Sequence, residues 1–151
     1  MKKFDFKLDK LMSYKEQTLG NERMTLGALN GEMERTQARL DALTAEKEKC
    51  AAEMEAKRVS GELTPLGYQL YHKYDVFLKE EINAVKRVKA QIQARIDKQV
   101  EVLKNIKLET KSLETVKQSK LASYRKEEVK DAEHLLDEFV NTARAMRRVS
   151  V

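Results

Sequence analysis

Apolar residues recur every seven positions along most of this chain, and one short stretch interrupts them. Met12, Leu19, Leu26, Met33, Leu40 and Met54 form one series, broken only by Lys47. Leu8, Leu29, Leu43 and Cys50 form a second, three residues further on, broken by Lys15, Glu22 and Thr36. Alternating steps of three and four are the seam of a left-handed coiled coil, because 3.5 residues per turn keep one stripe against a partner. Beyond the interruption, Leu78, Val85, Ile92, Ile106 and Leu113 repeat at seven, with Gln99 as the polar exception. Ile82, Ile96 and Leu103 flank this second seam on one side, and Val88, Val102 and Val116 on the other. So broad a stripe predicts a slightly drifting seam. Charged residues fill most other positions, with helix-supporting pairs such as Glu53/Lys57 and Asp75/Lys79.

The interruption is Val59-Ser60-Gly61-Glu62-Leu63-Thr64-Pro65. Gly61 suits the left-handed residue that ends a helix, since it has no Cβ to clash. Thr64 can cap the next helix, and Pro65 fits its first position. The pattern predicts helix 1 over about 6–60, a hinge over 61–64 and helix 2 over about 65–146. A connection this short sets two helices side by side and antiparallel. The expected fold is therefore all-α: a long antiparallel two-helix coiled coil, an α-hairpin rod, forming one coiled-coil domain over residues 1–151.

Composition agrees. Ala, Glu, Lys, Leu and Arg supply 79 of 151 residues, the level at which a long helix leads. There is one proline, and aromatics are 6%, too few bulky groups for an ordinary globular core. Gly20, Gly27 and Gly31 fall on outward faces of helix 1, each costing about 1 kcal/mol against alanine. They read as a locally soft arm or as a place where another chain's backbone approaches closely.

The two arms are unequal. At 1.5 Å per residue they would span roughly 80 and 120 Å. Folding about residues 62–63 pairs positions whose numbers sum to about 125, so the chain from about Lys120 onward has no partner. That overhanging C-terminal helix still carries an apolar stripe: Leu121, Tyr124, Ala132, Leu135, Leu136, Phe139, Ala143 and Met146. Burying one such Leu or Phe is worth about 1.5–3 kcal/mol, so a bare stripe seeks cover. It can insert into another protein, pair with a second copy, or break near Ser119–Ser123 and fold back. Arg144, Arg147 and Arg148 suit the helix dipole at that end, or an acidic partner surface.

Chemistry-bearing groups are sparse. His72 and His134 lack metal-site spacing, and Cys50 lies in the seam with nothing nearby to lower its pKa. No glycine-rich phosphate loop exists, and carboxylates on a thin rod face water. The chain is expected to be no enzyme, with no cofactor and no metal. The net charge of +5 is spread along the chain, which argues against nucleic acid. A charged N-terminus, a lone cysteine and no apolar run of 18 residues predict a cytoplasmic protein without direct membrane insertion. One richer cluster follows the hinge, where Tyr68, Tyr71, Tyr74 and Phe77 put four of nine aromatics within ten positions. Tyr71, Tyr74 and Leu78 share a face. The cluster either packs the hinge or docks a partner.

Phe4-x-Phe6-x-Leu8-x-x-Leu11 near the start and Leu70-Tyr71-x-x-Tyr74-x-x-x-Leu78-x-x-x-Ile82 after the hinge are similar to the opening and the post-hinge stretch of the flagellar FliJ family. Glu133-x-x-Leu136-Asp137-Glu138-Phe139-Val140 resembles its Asp-Glu-aliphatic-Ala ending, with Phe139 and Val140 in place of the aliphatic and the alanine. The resemblance implies a non-catalytic part of the flagellar type III export apparatus, a coiled coil similar to the central stalk of rotary ATPases. It implies binding to the hexameric export ATPase and stimulation of it, a link to the cytoplasmic domain of the membrane export gate, and escort of export chaperones. Phe4, Phe6, Leu8, Leu135, Leu136, Phe139 and Arg144 would face the ATPase. Tyr71, Tyr74 and Leu78 would face the gate. The implied location is the cytoplasmic face of the inner membrane at the flagellar base. The alternatives are a homodimeric coiled-coil spacer and a stalk subunit of a rotary ion-translocating ATPase.

Overall fold

The computed structural model describes residues 2–149. Two long helices account for nearly all of them and pack against each other: α1, Asp9–Ser60, and α2, Pro65–Val149. No strand occurs among the described residues.

The break between the helices is built as its residues dictate. Gly61 has φ +78°, the left-handed conformation that ends α1. Its amide donates to the Arg58 carbonyl (3.3 Å) and the Glu62 amide to the Lys57 carbonyl (3.0 Å), the paired bonds of a Schellman cap. Lys57 and Arg58 stand in that last turn, where positive charge meets the exposed carbonyls. At the start of α2 the Gly67 amide donates to Thr64 Oγ1 at 3.0 Å, so Thr64 is the N-cap and Pro65 the first helical residue. A Cβ on Gly67 would lie 3.1 Å from that hydroxyl, which leaves glycine the residue that fits under the cap.

α1 begins at Asp9, three residues later than expected. The Asp9 amide donates to the Phe6 carbonyl at 3.0 Å, closing a turn outside the helix, while the Met12 amide reaches Leu8 at 2.9 Å. Phe6 is 2% exposed, its ring buried from that turn. At the far end α2 runs unbroken through Ser119–Ser123 to Val149, three residues past the expected stop.

Contacts within the chain fall into two units. Gly20–Lys104 forms one. Its core is Leu29 from α1 with Leu78, Ile82, Val85, Ile92 and Leu103 from α2. The cross-helix contacts run in order: Glu22 meets Gln99, Glu32 meets Arg95, Arg39 meets Glu81, Glu46 meets Tyr74 and Lys57 meets Tyr71. As the number rises in α1 it falls in α2. The second unit joins the chain up to Leu19 with the chain from Asn105 onward. In it Lys2 meets Tyr124, Asp9 meets Lys117 and Lys15 meets Glu109. Phe6 and Met12 are its buried residues.

Burial follows the heptad closely. In α1 every expected seam position from Met12 to Met54 is at least half-buried, including Lys15, Glu22, Thr36 and Lys47. In α2 the inward positions step 71, 75, 78, 82, 85, 89 and 92, and continue in threes and fours to 117. The expected drift onto the second flank is confined to Val102, which is half-buried. Val88 and Val116 are exposed, and Lys89 and Thr110 take seam positions instead. Their long or hydrogen-bonded stems tolerate the seam, as Thr110 donates to the Ile106 carbonyl at 2.9 Å. The strict step of seven therefore outweighs the pull of two isolated valines.

Candidate functional site: two surfaces

The N- and C-terminal segments make the first surface. Before α1, the Phe4 ring lies 5.3 Å from the Tyr124 ring at 54°, and the Tyr124 hydroxyl donates to the Lys2 carbonyl at 2.6 Å. Tilted rings at this separation place one ring's edge near the other's face, worth about 0.5–1.5 kcal/mol beyond buried area. Asp9 and Lys117 add an ion pair at 3.0 Å. Phe4 is thus half-buried and Phe6 buried, while Leu8 remains 38% exposed. Tyr124, one member of the apolar stripe, is the residue that pins the N-terminal segment. Counting residues about the hinge left everything from about Lys120 onward without a partner, but Leu121 and Tyr124 are half-buried, so the uncovered stretch begins at Arg125.

From Arg125 to Val149 every residue of α2 is exposed. Leu135, Leu136 and Phe139 stand on consecutive turns there, with Phe139 72% exposed. Burying groups of this size stabilises by about 1.5–3 kcal/mol each, and here none of that is collected within the chain. Around them sit Asp131, Glu133, Asp137 and Glu138, then Arg144, Arg147 and Arg148. His134 Nε2 lies 3.5 Å from Glu138 Oε1. The expected ATPase-facing residues therefore form two groups. Phe4 packs on Tyr124 with Phe6 and Leu8 in the same N-terminal segment, and Leu135 lies 11 residues beyond Tyr124 along α2, about 16 Å at 1.5 Å per residue.

The second surface belongs to the Gly20–Lys104 unit, beside the hinge. Lys57 Nζ sits 5.4 Å from the Tyr71 ring centroid, and the Tyr71 hydroxyl holds the Lys57 ammonium above its ordinary pKa. Tyr68 stacks on His72 at 6.2 Å, and Tyr74 on Phe77 at 6.2 Å. Glu46 Oε1 accepts from the Tyr74 hydroxyl at 3.2 Å and from Cys50 Sγ at 3.6 Å. Burial, and then the Glu46 carboxylate, push both the Cys50 thiol and the Tyr74 hydroxyl up. A raised thiol pKa means little thiolate at neutral pH, so Cys50 is a poor nucleophile.

Tyr71 is half-buried and Tyr74 exposed, whereas Leu78 is 2% exposed and belongs to the core. Leu78 supports this surface from beneath and has no area to offer a partner. Leu66, Leu70 and Phe77 are exposed apolar groups here that do not belong to the three residues expected to face the gate. Carrying the seam steps back from Leu78 through Asp75 to Tyr71 leaves those three outside the seam, which is the signal that could have found them. A cavity of about 250 Å³ is lined by Cys50, Met54, Tyr68, Tyr71, His72 and Asp75. Among the described residues no group of three or more His, Cys, Asp or Glu side chains could hold a metal ion. No helix among them is long and apolar enough to cross a membrane.

A family model described as the flagellar FliJ protein matches residues 4–149, nearly the whole chain. The chain belongs to the FliJ family. Membership makes it a component of the flagellar export apparatus, in a family that is itself non-catalytic. No curated protein and no solved structure matches the chain.

Proposed function

We propose that this FliJ-family chain is a stalk-like binder and stimulator of the hexameric export ATPase. In this reading α1 and α2 pair as an antiparallel coiled coil, and the last turns of α2 overhang as a plug. The observation that carries it is the uninterrupted exposure of residues 125–149 around Leu135, Leu136 and Phe139. The descending order of cross-helix contacts in each unit supports the antiparallel arrangement. A ring lumen would cover the apolar groups, and Arg144 with Arg147 and Arg148 would meet acidic residues lining it.

Phe4 and Leu8 would complete the ring contact, with Phe6 holding them in place from the core. Tyr71 and Tyr74, carried on Leu78, would face the cytoplasmic domain of the export gate, and export chaperones would be handed on along the same assembly. The place of action is then the cytoplasmic face of the inner membrane at the flagellar base.

The test is ATPase stimulation by the full chain carrying Leu136→Asp and Phe139→Asp, beside a chain ending at Lys130. Both should keep their helicity and lose stimulation. Undiminished stimulation by either would remove the plug from the mechanism.

A further inference from the structure

The stretch of α1 from Gly20 to Thr36 is poorly composed for a helix, and its surroundings do not explain why. Three of the chain's five glycines and two of its five asparagines fall within these 17 residues. Glycine persists inside helices where a Cβ would collide with a neighbour. Here a Cβ on Gly20 or Gly27 would meet nothing within 4 Å, and one on Gly31 only the tip of Arg35 at 3.4 Å. Thr25 and Thr36 donate to the carbonyls of Asn21 (3.3 Å) and Glu32 (2.8 Å), but Thr44 makes the same bond to Leu40 (2.9 Å), so the contrast lies in the glycines and asparagines. The seam is polar at the same level, where Gln99 faces Glu22. Residues 37–60 of α1 differ sharply, with six alanines and no glycine or asparagine.

We infer that residues 20–31 of α1 are a compliant segment, which unwinds locally ahead of the alanine-rich half while Leu29 keeps it seated on α2. Leu29 is buried, so opening of the outer turns does not release the seam. Such a segment lets α1 yield under load without unpairing residues 37–60. The inference does not depend on which partner the chain binds.

Amide hydrogen exchange of the full chain, resolved by peptide, tests it. Each glycine weakens a helix about fivefold relative to alanine, so residues 20–31 should exchange roughly a hundredfold faster than residues 40–55. Gly20→Ala, Gly27→Ala and Gly31→Ala together should slow exchange there by a similar factor and leave residues 40–55 unchanged. Conversely, Ala38→Gly, Ala45→Gly and Ala52→Gly, all at exposed positions, should bring fast exchange to the other half. Equal protection of the two halves in the unaltered chain overturns the inference, as does indifference of residues 20–31 to the three alanines. Because the readout involves no ATPase, failure here leaves the stalk reading untouched.

Discussion

Gln99 Nε2 donates to the Glu22 backbone carbonyl at 3.0 Å and also reaches the Glu22 carboxylate. The polar exception of one seam thus answers a polar exception of the other. Alone, each residue would leave a half-buried polar group facing leucine and isoleucine, at a cost of about 1–3 kcal/mol. Together they satisfy one another and mark a single register, the best-attested use of a polar seam residue. Gln99→Leu should destabilise the chain by about 1 kcal/mol in urea unfolding, because Glu22 is stranded. Adding Glu22→Leu should recover that loss and exceed the unaltered stability. Additivity of the two changes would show that the pair is not coupled.

Phe6 and Leu8 lie two residues apart but should behave oppositely. Phe6→Ala empties a buried site and should cost about 3–5 kcal/mol. Leu8→Ala, at an exposed position, should stay within about 0.5 kcal/mol. Loss of ATPase stimulation by the Leu8 variant with its melting temperature unchanged would assign Leu8 to contact and Phe6 to support.

The hinge depends on two residues for different reasons. Gly61→Ala forces a Cβ into the left-handed region and should cost about 1–2 kcal/mol. Thr64→Ala deletes the acceptor for the Gly67 amide and should cost about 1 kcal/mol. Thermal unfolding of each variant is sufficient to check both.

Around Glu46 the chain should lose stability in alkali. Burial and the Glu46 carboxylate raise the Cys50 thiol and the Tyr74 hydroxyl, so the unfolded chain releases these protons first. The folded state therefore keeps the full benefit below the ordinary thiol range and loses it as pH climbs through the raised values. Glu46→Gln should lower both values and flatten the decline. Thiol alkylation of the folded chain should likewise set in at higher pH than in denaturant, and Glu46→Gln should narrow that gap.

Most of the fold was legible from the chain alone because its signals are local. Gly61, Thr64 and Pro65 act through their own backbones, and the seven-residue repeat fixes which face of each helix turns inward. The apolar stripe of Leu135, Leu136 and Phe139 could be read from its spacing, and these side chains are exposed. Other features are long-range. The sequence places Glu22 and Gln99 at exceptions 77 positions apart, and only the packed helices bring them opposite one another. Phe4 finds Tyr124 across the helices, and Phe6 is buried from a turn ahead of α1. Leu78 was legible as a buried seam residue from its step of seven to Val85, and only the family resemblance set it among the presented ones. Periodicity states which way a side chain points, and what it meets there depends on the partner helix and its register.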